Sequence, residues 1–126
     1  MAQSLISKYN IPGPRYTSYP TVPYWDETGI NLDTWKLSVK KSFNESNSKE
    51  GISLYVHLPF CESLCTFCGC NKRITKNHDV EDPYIKAVLK EWDLYLDLLG
   101  ETPIISEIHF GGGTPTFFSP DSLRKL

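Results

Sequence analysis

The chain has 126 residues, 40% of them hydrophobic and 22% charged, with a net charge of −2. That balance fits a packed globular protein, gives no basic surplus for nucleic acid, and leaves no apolar run long enough to span a bilayer. The start, Met1-Ala2-Gln3-Ser4-Leu5-Ile6-Ser7-Lys8, lacks the charged and apolar blocks of a secretory leader, so a reducing cytoplasm is the expected setting for its four cysteines.

An N-terminal arm carries Tyr9-Asn10 and Gly13-Pro14-Arg15-Tyr16-Thr17-Ser18-Tyr19-Pro20-Thr21. Asp33 or Thr34 can then open a helix whose apolar residues Trp35, Val39 and Phe43 recur at four-residue spacing, and Asn44 to Gly51 read as a polar linker. Next, Ile52, Leu54, Val56 and Leu58 alternate with Ser53, Tyr55 and His57. This period of two predicts a strand with one aliphatic face.

The strand runs into the densest chemistry of the chain, Cys61, Cys65 and Cys68 in the order C-x3-C-x2-C, followed by Gly69, Cys70 and Asn71. A structural zinc or an ordinary four-iron cluster is closed by four protein ligands, so three clustered thiolates leave one metal position for another molecule. No second C-x2-C pair and no H-x3-H follows at zinc-finger distance, which weighs against zinc. Two disulfides, a redox thiol pair, or a cluster closed by Cys70 are the alternatives that the residues alone leave open. Lys72, Arg73 and Lys76 make a basic group after the loop, to be read as solvated surface or as a place for substrate carboxylates.

A clear helix follows: Pro83 suits its first turn, Ile85, Val88, Leu89, Trp92, Leu96 and Leu99 form one stripe, and Gly100 can end it. Ile104 to Phe110 is expected as a short buried strand, leading into Gly111-Gly112-Gly113-Thr114-Pro115. Three glycines after a strand let the backbone approach a ligand closely, although a tight turn with positive φ needs one or two. Finally, Ser119 can cap a helix that has Pro120 at its first position and Asp121 in its first turn. Strand, crossover helix and strand predict one right-handed parallel unit, with both motifs at the carboxyl ends of the strands.

The cysteine spacing together with the GGGTP box resembles the radical S-adenosylmethionine superfamily. The segments Tyr55-Val56-His57-Leu58-Pro59-Phe60-Cys61 and Phe67-Cys68-Gly69-Cys70-Asn71-Lys72, with the R-Y-T-S-Y-P arm from Arg15 to Pro20, narrow the resemblance to the oxygen-independent coproporphyrinogen III oxidases. That resemblance implies an α/β fold, the N-terminal portion of a partial (β/α)6 TIM-like barrel. Residues 1–51 would form an arm and helix, and residues 52–126 the first βα units, with the polar strand face toward the lumen. With two strands of that type in hand, the chain is expected to be an N-terminal fragment, inactive by itself.

The resemblance also implies the cofactors: a [4Fe-4S] cluster on Cys61, Cys65 and Cys68, with Cys70 outside the ligand set, and S-adenosyl-L-methionine. Tyr55, Phe67, Gly112, Gly113 and Thr114 match positions that contact S-adenosyl-L-methionine, Phe67 against the adenine. A large flat ring at Phe67 also predicts a closed site with little solvent. Catalytic residues are not assigned, and His57 and His109 read as hydrogen-bonded filler of a barrel lumen ahead of any direct role. The implied reaction turns two propionates of coproporphyrinogen III into vinyl groups, giving protoporphyrinogen IX in haem biosynthesis. An electron donor such as flavodoxin would supply the cluster, no nucleic acid or membrane is expected as partner, and a monomer is expected. A haem chaperone of the same superfamily and a noncatalytic iron–sulfur electron-transfer module are the competing classes, the first expected to lack the R-Y-T-S-Y-P arm.

Overall fold

A computed structural model of the chain describes residues 4–10 and 24–126, so the arm from Gly13 to Thr21, Arg15 included, lies outside the described residues. The chain divides after Asn31 into two compact units. In the first, α1 (Leu5–Tyr9) is capped by Ser4, whose hydroxyl accepts from the Ser7 amide.

In the second unit, α2 (Leu32–Ser46) buries Phe43. The helix continues through Asn44 to Ser46, where the sequence suggested linker: the Asn47 amide still bonds the Phe43 carbonyl at 2.8 Å and the Ser46 hydroxyl bonds back to Ser42. Polarity there marks a solvent-facing last turn rather than a break. Asn47 itself is buried, accepting from the Ile104 amide at 2.8 Å and donating to Glu101 at 3.1 Å. It thereby anchors the end of α2 beside the start of the later strand.

The expected strand is β1 (Ile52–Leu58). It is followed by two elements that the sequence did not announce, β2 (Phe60–Cys61) and β3 (Arg73–Ile74), which pair in parallel across the cysteine loop. The helix read from Pro83 to Gly100 is α3 (Glu81–Leu99), ended by Gly100 at φ +79°, whose amide bonds the Leu96 carbonyl. The last strand, β4 (Ile105–Gly112), pairs with β1 in parallel, setting Tyr55 opposite His109, His57 opposite Gly111 and Leu58 opposite Gly112. Strand, helix and strand thus form the expected parallel pair with a crossover. The strand is not buried, however. Among the described residues β4 pairs with β1 alone, and Ile105, Ile108 and Phe110 are solvent-exposed.

The core lies where α3 meets the end of β1. Leu58 and Ile85 are 0% and 1% exposed, and Phe60, Phe117 and Phe118 close around them, with the Phe60 ring 5.6 Å from Phe117 and 5.3 Å from Tyr84. Removing such aliphatic and aromatic surface from water stabilises the unit at about 25 cal/mol per Å2. Beyond the glycines, Pro115–Phe117 makes one tight turn, and α4 (Pro120–Leu123) starts as expected: the Ser119 hydroxyl accepts from the Ser122 amide. The exits of β1 and β4 are therefore packed on a common core, which fixes the two motif-bearing segments side by side.

Candidate functional site

The cysteine loop is closed at both ends by backbone bonds, because β2 and β3 pair across it. Arg73 donates to the Pro59 carbonyl at 2.8 Å, and Thr75 to the Cys61 carbonyl at 2.9 Å. Between these clamps, residues 62–71 form no strand or helix, and a bond from the Cys68 amide to the Cys65 carbonyl at 3.1 Å makes one turn. Cys61, on β2, is buried, whereas Cys68 is half-buried and Cys65 and Cys70 are exposed. All four are free thiols, so the disulfide reading finds no support.

The glycine turn sits directly beside Cys61. Gly113 donates to the Leu58 carbonyl at 2.8 Å and Thr114 to the Phe60 carbonyl at 3.0 Å, while the Thr114 hydroxyl donates to Cys61 Sγ at 3.3 Å. These bonds explain two of the glycines in a way that ligand access alone does not. A β-carbon on Gly113 would meet the Phe60 and Pro59 carbonyl oxygens at 2.7 and 2.8 Å, and Gly112, at φ +106°, lies against the His57 ring. The turn is glycine-rich first because the chain itself passes so close.

Tyr55 and His57 form the polar lining between the motifs. The Tyr55 ring stacks on His109 with centroids 5.6 Å apart, and its hydroxyl lies 3.2 Å from His57 Nδ1. His57 Nε2 lies 2.7 Å from the Asn71 carbonyl, which can only accept. His57 therefore carries its proton on Nε2, and Tyr55 donates to Nδ1. Sequence reasoning treated His57 as filler; in the structure it ties β1 to the C-G-C-N segment. The pairing is not legible beforehand because Asn71 contributes only its backbone.

Electrostatics set Cys70 apart. Charge repulsion with Cys68, and a hydrogen bond that the Cys70 thiol donates to the same side chain, hold that thiol above its ordinary range, and Lys72 opposes this only in part. Cys68 and Cys70 are thus neighbours, and Cys61 pairs with Thr114. Among the described residues, however, no three His, Cys, Asp or Glu side chains converge closely enough to hold a metal ion. The structure does not bring Cys61, Cys65 and Cys68 into a ready-made ligand set. Phe67, between the second and third cysteines, is 89% exposed, so the closed site expected from that ring is corrected. The ring projects from a loop held only at its two ends, and no described element packs over it.

The donor set nevertheless fits an iron–sulfur cluster. Three free thiols stand on a loop whose interior makes no ladder that would have to break for them to turn inward, and the innermost already accepts a hydrogen bond from the glycine turn. An open cavity of about 750 Å3 runs from Phe43, Leu54, Trp92 and Ile108 to Tyr55 and His57, without bordering the cysteines or Gly111 to Gly113.

These features define an α/β protein whose chemistry-bearing residues gather at the carboxyl ends of two neighbouring parallel strands. The oxygen-independent coproporphyrinogen III oxidase of Mannheimia haemolytica is 38% identical over 123 residues, covering 98% of this chain and 80% of that protein. The chain belongs to the oxygen-independent coproporphyrinogen III oxidase family. The enzyme of that name from Pseudomonas aeruginosa is 41% identical over 122 residues, which are 97% of this chain but only 26% of the relative's length. Among solved structures, coproporphyrinogen III oxidase (HemN) from Escherichia coli, described as a radical SAM enzyme, superposes with a TM-score of 0.69 at 35% identity, over 88% of this chain and 24% of that one. No family model matches the chain.

Proposed function

We propose that this chain forms the cofactor-binding start of an oxygen-independent coproporphyrinogen III oxidase, which converts coproporphyrinogen III to protoporphyrinogen IX by oxidative decarboxylation of two propionates. The observation that carries the reading is the contact of Thr114 with Cys61, which joins the glycine turn to the thiol loop at adjacent strand ends. In this reading Cys61, Cys65 and Cys68 hold a [4Fe-4S] cluster, and Tyr55, Phe67, Gly112, Gly113 and Thr114 face S-adenosyl-L-methionine. Cluster and S-adenosyl-L-methionine, when bound, supply one-electron cleavage of a sulfonium, which no side chain here can perform.

The chain's own residues bind and orient. Cys61 is held by β2 and by the Thr114 hydroxyl, a bond to sulfur of the kind that tunes cluster potential. The amides of Gly113 and Thr114 are committed to the Leu58 and Phe60 carbonyls, so what the turn can offer a ligand is carbonyl oxygen, suited to an ammonium group. Tyr55, fixed between His57 and His109, presents a rigid polar wall beside it.

The wider reading follows the family. Residues 52–126 would open a partial (β/α)6 barrel behind an arm and helix of residues 1–51, in a monomer served by a donor such as flavodoxin in a reducing cytoplasm. Among the described residues no helix is long and apolar enough to cross a membrane. A second reading, a cluster closed by Cys70 in an electron-transfer module, is favoured by the place of Cys70 beside Cys68.

The test uses the full chain, reconstituted anaerobically with iron and sulfide, and measures binding of S-adenosyl-L-methionine by equilibrium dialysis, because a fragment of this kind is expected to be inactive by itself. Stoichiometric binding that depends on the filled cluster supports the proposal. A filled cluster that binds no S-adenosyl-L-methionine overturns it in favour of the second reading.

A further inference from the structure

We propose that His78 is a positioning residue for the cysteine loop, tying Glu62, the residue after Cys61, to Glu81 at the start of α3 and to the segment beyond the glycine turn. Its relevance to catalysis rests on the cluster reading above; the tie itself does not.

The geometry is specific. His78 Nδ1 lies 2.7 Å from Glu81 Oε1, Nε2 lies 3.3 Å from Glu62 Oε1, and the ring stacks on Phe117 with centroids 4.3 Å apart and planes 10° from parallel. Glu81 is buried, and its other oxygen accepts from the Ser119 amide at 2.9 Å. Carboxylates only accept, so a ring whose two nitrogens each face one must donate from both, and His78 is held in the charged form. Hydrogen bonding to Glu81, and more weakly to Glu62, raises its pKa accordingly.

The division of labour follows from burial. Glu81 and Phe117 fix the ring plane, so little further entropy is lost when Nε2 engages Glu62, whose side chain is 61% exposed. The inner half of the tie is permanent and the outer half is reversible. Glu62 begins the loop, while Phe117 and Ser119 follow the glycine turn, so His78 links the two motifs a second time, independently of Thr114 and Cys61. This gives the loop a defined start from which Cys65 and Cys68 can turn toward a common centre, a geometry that a clamp at β2 and β3 alone does not specify.

Hydrogen exchange read by mass spectrometry, on the full chain, reduced and metal-free, tests the tie without any cluster. His78→Gln and Glu62→Gln should each speed exchange in residues 62–72 about two- to fivefold, the range an exposed ion pair supports. The double variant should add nothing further, and β1, β4 and residues 84–99 should be unchanged. In the wild type the protection should be complete below the ordinary histidine pKa and lost as pH rises through the raised one; His78→Gln should show no such step. Glu62 from the loop and Glu81 from α3 are the charged groups facing the ring. If His78→Gln loosens residues 115–119 as well, Glu62→Gln decides, because it leaves the His78–Glu81 pair intact. Unchanged exchange of residues 62–72 in Glu62→Gln, additive effects in the double variant, or absence of the pH step would overturn the proposal. Failure to bind S-adenosyl-L-methionine would leave all of these exchange results untouched.

Discussion

Replacing Glu81 by glutamine keeps the shape of the side chain and removes its charge, at a position where the side chain is 8% exposed. Burial alone would push this carboxyl up, but the Ser119 amide, the His78 ring and the hydroxyls of Ser122 and Ser119 bring it down to about 2. The fall from the model-compound value of 4.5 to about 2 corresponds to about 3 kcal/mol of preference of the folded state for the charged form. A depressed carboxyl contributes stability that is present above its unfolded pKa and is lost as pH falls through the folded one. Glu81→Gln should therefore lower the unfolding free energy by about 2–3 kcal/mol at pH 7, a fall in Tm of about 10 °C. The gap to the wild type should close as pH drops from 4.5 toward 2. Urea unfolding followed by tryptophan fluorescence at pH 7, 4 and 3 measures this directly. Equal stability at pH 7, or a gap that does not change with pH, would refute the reasoning.

Gly113→Ala puts a methyl 2.7 Å from the Phe60 carbonyl oxygen and 2.8 Å from that of Pro59, and neither can rotate away. Thermal unfolding should show a loss of about 1–3 kcal/mol. Gly69→Ala is the control: no atom lies within 4 Å of the added carbon, and the change should stay within about 0.5 kcal/mol. Among cysteine variants, Cys61→Ser, Cys65→Ser and Cys68→Ser should each abolish stoichiometric iron and sulfide after reconstitution, whereas Cys70→Ser should retain it. Iron and sulfide analysis with the visible absorption spectrum reads all four.

Local signals were legible where one short segment decides the structure. Period two gave β1, the stripe from Ile85 to Leu99 with Gly100 behind it gave α3, and Ser119-Pro120 gave the last cap. The two motifs also announced themselves, and the parallel unit places them together as expected. What the sequence hid is long-range. Two-residue strands such as Phe60–Cys61 and Arg73–Ile74 carry no period, so the clamp across the cysteine loop was invisible. No local signal marks Glu81 or His78, because their partners Ser119 and Glu62 lie 38 and 16 positions away. A run of glycines suggests room for a ligand or a tight turn, whereas Gly113 is demanded first by the Phe60 and Pro59 carbonyls. An apolar run from Ile104 to Phe110 suggested burial, but apolar character records what a strand can pack against, not which described element covers it.

The central claim, that Cys61, Cys65 and Cys68 hold a cluster with one iron open beside the glycine turn, is tested most directly by electron paramagnetic resonance. The full chain is reconstituted anaerobically, reduced, and measured with and without S-adenosyl-L-methionine. The account predicts a four-iron signal that shifts when S-adenosyl-L-methionine is added, both in the wild type and in Cys70→Ser. A four-iron signal that S-adenosyl-L-methionine leaves unchanged in both would contradict it.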